Sequence, residues 1–173
     1  MADSVVPIGF DPDILVDNPV LNTGTTNGIL LTVKRTLSNF FAEQDGSSKL
    51  QDITICEKNT TAKKNSIRII LFNNSDVLTA TAGTAFAFDT NTTKANILAV
   101  IDFAEANYKD LTTGTDKYSY MSAKENGMTP IDLISLDLTD FNIYYCIVLN
   151  DAAATAYVGG ADEMCVKFYS NRN

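Results

Sequence analysis

The chain contains no histidine and no tryptophan. Without histidine there is no Ser-His or Cys-His nucleophile pair and no imidazole metal ligand. The usual general base near neutral pH is missing as well. Without tryptophan, a sugar-stacking platform would have to be built from the seven tyrosines. Glutamate is scarce: Glu43, Glu57, Glu105, Glu125 and Glu163 are all there are. None of the five stands in an apolar run that signals a raised pKa, so no acid/base pair of the glycosidase kind can be read. Walker, GxGxxG and GxSxG motifs are missing too. The sequence predicts no catalytic residue, no cofactor and no metal.

Positive charge is also thin. Thirteen Lys and Arg face 21 Asp and Glu, for a net charge of −8. Basic residues are adjacent only at Lys34-Arg35 and Lys63-Lys64. No stripe can neutralise phosphates, which argues against nucleic acid as a partner. An anionic membrane would repel such a chain, and no apolar run nears the ~18 residues of a membrane span. The first residues, MADSVVPIGFDPDILVDN, have neither a basic start nor a long apolar stretch, so no secretory leader is read. Synthesis and folding in a cytoplasm are the expectation.

Cysteine is limited to Cys56, Cys146 and Cys165, an odd count without CxxC spacing, each within an apolar or strand-like run. Buried, reduced thiols are expected, since three separated thiols are one short of a closed zinc set. The pair Asp11 and Asp13 and the series Asp132, Asp137, Asp140 lack EF-hand spacing and read as solvated charge.

What the chain does have is 45% hydrophobic residues with a polar remainder of Thr, Asn and Ser. Threonine suits a pleated surface, and Asn and Ser suit turns. The spacing predicts strands over Leu50 to Glu57, Ser66 to Phe72, Thr84 to Asp89, Ala95 to Ala104, Ile131 to Leu138, Ile143 to Leu149 and Glu163 to Ser170. In the first of these, Leu50 shares a face with Asp52, Thr54 and Cys56, opposite Ile53 and Ile55. Residues 29–44 read as a strand over Ile29 to Thr36, with a helix as the competing reading because Leu30, Val33, Leu37 and Phe41 fall at helical spacing. The fold class expected is all-β: a single jelly-roll-like or β-sandwich domain of about eight short strands over residues 29–173.

Residues 1–28 read as an extended N-terminal arm. Pro7, Pro12 and Pro19 discourage helix and central-strand pairing, yet Val5, Val6, Ile8, Phe10, Ile14 and Leu15 are too apolar for a disordered linker. Such an arm packs on its own domain or on a partner. On the second reading those six residues are the partner-binding set, and removal of residues 1–21 should leave a folded domain.

The runs SIRIILFNNSDV, TAFAFDTN, ANILAVIDFA, FNIYYCIVLND and ADEMCVKFYS, in that order, resemble head-associated proteins of tailed phages that decorate or cement the capsid. The likeness covers residues from about 50 to the end and carries no catalytic signature. It implies a virion structural protein, made in the host cytoplasm and bound in many copies to the capsid exterior. Its partners would be the major capsid protein and sister subunits, with a homo-oligomer, a trimer, as the expected state. The alternative is a recognition module of a fibre or adhesin that binds glycan or protein through Thr/Asn-rich loops and through Tyr118, Tyr120 and Tyr157.

Overall fold

The runs at Ile67–Phe72, Ile143–Leu149 and Met164–Arg172 do become strands, whereas residues 84–86 of the expected strand Thr84 to Asp89 hold only an isolated bridge at Ala85. The computed structural model describes residues 13–38, 40, 47–59, 64–73, 81–86, 97–111, 117–134, 142–151, 154, 156–157 and 163–172. Within them lie β1 (Asp13–Asp17), β2 (Arg35–Leu37), β3 (Ser47–Asn59), β4 (Ile67–Phe72), β5 (Ile97–Phe103), β6 (Lys109–Asp110), β7 (Lys117–Ser122), β8 (Ile131–Ile134), β9 (Ile143–Leu149) and β10 (Met164–Arg172). A 3-10 turn, Glu105–Asn107, precedes β6.

The strands form two antiparallel sheets packed face to face, a β-sandwich. The larger runs β1-β10-β3-β7-β6, with β8 paired to the first residues of β3. The smaller runs β2-β9-β4-β5. Period-two alternation builds the core between them. Met164, Val166 and Phe168 are buried from β10, while Cys165, Lys167 and Tyr169 between them face outward and are only partly covered. From the smaller sheet, Ile67, Ile69, Leu71, Tyr145 and Ile147 meet them.

Every residue of β9 is buried, so this strand is covered on both faces. Its second face joins Leu30, Ile70, Phe72, Tyr144, Cys146 and Val148 in a separate apolar cluster. Part of the cover comes from Ile29 and Leu30, which bridge Ala85 on one side and Val148 on the other. The strand reading of residues 29–36 therefore describes an interrupted strand along β9: the bridges at Ile29 and Leu30, a break, then β2. At the break the Ile147 amide donates to Oγ1 of Thr32 at 3.1 Å in place of a ladder carbonyl. No helix occurs there among the described residues; residues 39 and 41–46 lie outside them. Residues 87–89, 95–96 and 135–138 of the expected strands also lie outside.

The face assignment on β3 needs correction. Tyr169 pairs with Asp52 but Ser170 pairs with Leu50, which leaves Gln51 as the extra residue of a β-bulge. A bulge reverses the parity of what precedes it. Leu50 therefore points into the core with Ile53 and Ile55, not outward with Asp52.

The segment read as an arm is, from Asp13 onward, part of the domain's own sheet. β1 pairs along its length with β10 at the sheet edge, and Pro19 and Leu21 beyond it are buried. An edge position is where flanking prolines cost least, because the missing amide is not needed by a neighbour.

Candidate functional site

Of the six expected arm contacts, Val5, Val6, Ile8 and Phe10 lie outside the described residues. The remaining two are separated by the strand's alternation. Ile14 is 52% exposed, whereas Leu15 packs against the core. Val16 belongs with Ile14: it shares the outward parity and is 56% exposed. Period two was the signal that could have found it. Val20, just past the strand, is equally open.

What holds this strand in place is a polar clamp at its end. Arg35 of β2 grips Asp17 of β1 with both ends of its guanidinium: Nε donates to Oδ2 at 2.8 Å and Nη2 donates to Oδ1. The Tyr145 hydroxyl of β9 donates to Oδ2 of Asp17 at 2.6 Å. The clamp thus ties the edge strand of the larger sheet to the smaller sheet. Burial alone would raise the Asp17 pKa, but the hydrogen bonds from Arg35 and Tyr145, with the Arg35 charge, outweigh it and hold the carboxyl below its ordinary value. Burial, then the Asp17 contact, keeps the Tyr145 phenol protonated.

The outward face of the larger sheet continues from this strand. Ile14 stands opposite Tyr169 and Val16 opposite Lys167. Further across, Cys165 faces Cys56, Cys56 faces Tyr120, and Lys58 faces Tyr118. Tyr118 and Tyr120 are partly exposed, on the surface where a recognition module would need them. Asp52 anchors the next turn, accepting from the Ser122 hydroxyl at 2.7 Å and the Lys124 amide at 2.8 Å.

Tyr157 is not on that surface. It is 2% exposed and donates to Oε1 of Glu57 at 2.7 Å. Glu57, itself 2% exposed, also accepts from the Tyr108 hydroxyl at 3.3 Å and from the Lys64 amide at 3.1 Å. Its burial is not announced by its immediate neighbours, Cys56 before it and Lys58 after it. Glu57 carries the inward parity of Ile53 and Ile55, which was the available signal. Burial first, and then the charge of Glu57, push both phenols well above the ordinary tyrosine range. Both tyrosines therefore stay neutral donors. The carboxylate joins β3 to the turn before β6 and to the segment ahead of β10, which is a structural task.

An open groove of about 380 Å³ lies between β5 and the turn after β7, walled by Val100, Asp102, Asn107, Asn126, Met128 and Ile131. Its carboxylate, Asp102, accepts two hydrogen bonds from Arg68, at 2.6 and 3.0 Å. No group of three or more Cys, Asp or Glu with metal-ligand placement occurs among the described residues. Cys146 is buried as expected, and burial pushes its thiol up to about 12. Cys56 and Cys165 are only partly buried, which corrects the expectation for those two. No protein-family model matches the chain, and no curated protein is significantly similar to it.

Proposed function

We propose that this chain is a non-catalytic virion component that decorates or cements the outer surface of a phage capsid, bound to the major capsid protein and to sister copies across capsomer seams. The particle and its partners come from the resemblance of the strand runs. The contact surface comes from one observation: Ile14 and Val16 stand exposed and side by side on an edge strand clamped at Asp17. The far edge of β1 pairs with no strand among the described residues. At five residues, between Pro12 and Pro19, the strand is too short and too guarded to invite open-ended pairing. Contact is therefore made through its side-chain face.

Two half-exposed aliphatic side chains offer about 2–3 kcal/mol when a partner covers them. That is modest for one copy and sufficient when many copies also touch one another. The test is the number of copies retained per capsid when Ile14 and Val16 are made polar.

A second reading rests on Tyr118, Tyr120 and Tyr169, which share the outward face of the larger sheet. A recognition module would use them to stack on a saccharide or a partner loop. A glycan array with the isolated chain separates the two: specific saccharide binding, abolished by Tyr120→Ala but not by Val16→Ser, favours recognition.

A further inference from the structure

The outer face of the larger sheet holds a feature that neither reading uses. Cys56 of β3 and Cys165 of β10 are directly opposed in the antiparallel register, and both are partly exposed on the same face. Two residues away, the Lys58 amide donates to the Glu163 carbonyl at 2.9 Å, so by ladder alternation Cys56 and Cys165 are also a hydrogen-bonded pair. Such pairs hold their Cα atoms about 5.5 Å apart, inside the ~4.4–6.8 Å range that disulfides span. Their Cβ atoms, at about 4.5–5.5 Å, are farther apart than most bridges prefer. Burial raises the Cys56 pKa first, and the facing Cys165 raises it further, while the nearby Lys167 opposes both.

We propose that Cys56 and Cys165 form a reversible cross-strand dithiol/disulfide switch that closes under a disulfide oxidant and locks β3 to β10. One thiolate attacks a sulfur of the oxidant, for which oxidised glutathione serves. A glutathione thiolate leaves, and a mixed disulfide remains. The second thiolate attacks the protein sulfur of that mixed disulfide, and the second glutathione leaves. Two protein thiols lose their protons and, together, two electrons; the oxidant is reduced to two thiols. The wide Cβ separation makes the closed bridge strained and readily reopened, the behaviour of a labile rather than a structural disulfide. A reducing compartment keeps the pair open, and transfer to an oxidising one closes it.

The experiment treats the folded, full-length chain with excess oxidised glutathione, alkylates the remaining thiols and maps the peptides by mass. The expected product has lost two hydrogens, links the Cys56 peptide to the Cys165 peptide, leaves Cys146 free and reopens at low dithiothreitol. Cys146→Ser gives the same bridge. Cys56→Ser gives only a glutathione adduct on Cys165. Separate glutathione adducts on Cys56 and Cys165 of the wild-type chain would overturn the proposal. So would two thiols that stay free in the folded chain and react only after unfolding.

Discussion

Asp17 and Tyr145 lie 128 residues apart in sequence and 2.6 Å apart in the fold. The phenol reaches from the centre of the smaller sheet to the edge of the larger one, and Arg35 closes on the same carboxylate from β2. Without this clamp, β1 would be an edge strand held on one side only, by β10. Ile14 and Val16 would then be presented on a fraying end, not on a fixed face.

Asp17→Asn removes the charge that Arg35 and Tyr145 both address. Hydrogen bonds to charged groups contribute roughly 1.5–3 kcal/mol, and partial exposure of Arg35 places this site near the lower end. A fall in melting temperature of about 5 °C is expected. Amide exchange over residues 13–17 should accelerate more than exchange over β9. Equal protection of β1 in the variant would show that β10 suffices to hold it.

Removal of residues 1–21 is now expected to be costly. It deletes β1 and takes Leu21, 1% exposed, out of the core. Loss of a buried leucine alone costs about 2–5 kcal/mol. A truncated chain that melts like the full-length one would place the arm outside the cooperative fold.

The pH dependence has a definite sign at each end. The Asp17 pKa is lowered by folding, so its stabilisation is present above the ordinary value of 3.8 and is lost as pH falls through the lower folded value. Tyr108, Tyr145 and Tyr157 are raised by burial and by their carboxylate partners. Their contribution is present below the ordinary tyrosine value of 10.0 and is lost as pH rises above it, where the unfolded chain gives up protons that the folded chain keeps. Thermal melts between pH 8 and about 12 should show a steep alkaline decline that Tyr157→Phe makes shallower. A flat profile would mean that these phenols ionise in the folded chain as they do in water.

Glu57→Gln tests the buried carboxylate. The amide keeps one acceptor for the two tyrosines but can turn an N–H toward the Lys64 amide, where two donors conflict. A cost of about 1–3 kcal/mol is expected, read as a lower denaturant midpoint with an unchanged slope. Glu125→Gln, which weakens an exposed ion pair with Lys109, should move the midpoint little. Equal stability of the Glu57 variant and the parent would contradict the network.

The legible parts of the fold were those in which local pattern and burial agree. Ile67–Phe72 and Ile143–Leu149 are dense in β-branched and aromatic residues, and no other element suits them in so few positions. Met164 to Phe168 alternates cleanly. Leu50 was misplaced because a bulge is set by the partner strand, and nothing about Gln51 announces it. Tyr157 belongs to the recognition reading only as a loop tyrosine; its partner Glu57 lies 100 residues earlier, a distance that local pattern cannot bridge. Ile14 and Leu15 were grouped because an arm has no faces, whereas a strand has two. The clamp was invisible for the same reason as Glu57: Asp17, Arg35 and Tyr145 are brought together only by the pairing of the sheets.

The most direct test of the account is a count of copies bound to capsids that lack the protein, for the parent chain and for Ile14→Ser with Val16→Ser. Both side chains are more than half exposed, so the double variant should melt close to the parent. The parent is expected to saturate the capsid exterior and the variant to bind with affinity weaker by roughly tenfold or more. Equal occupancy of the two chains, or a parent chain that does not associate with capsids, would contradict it.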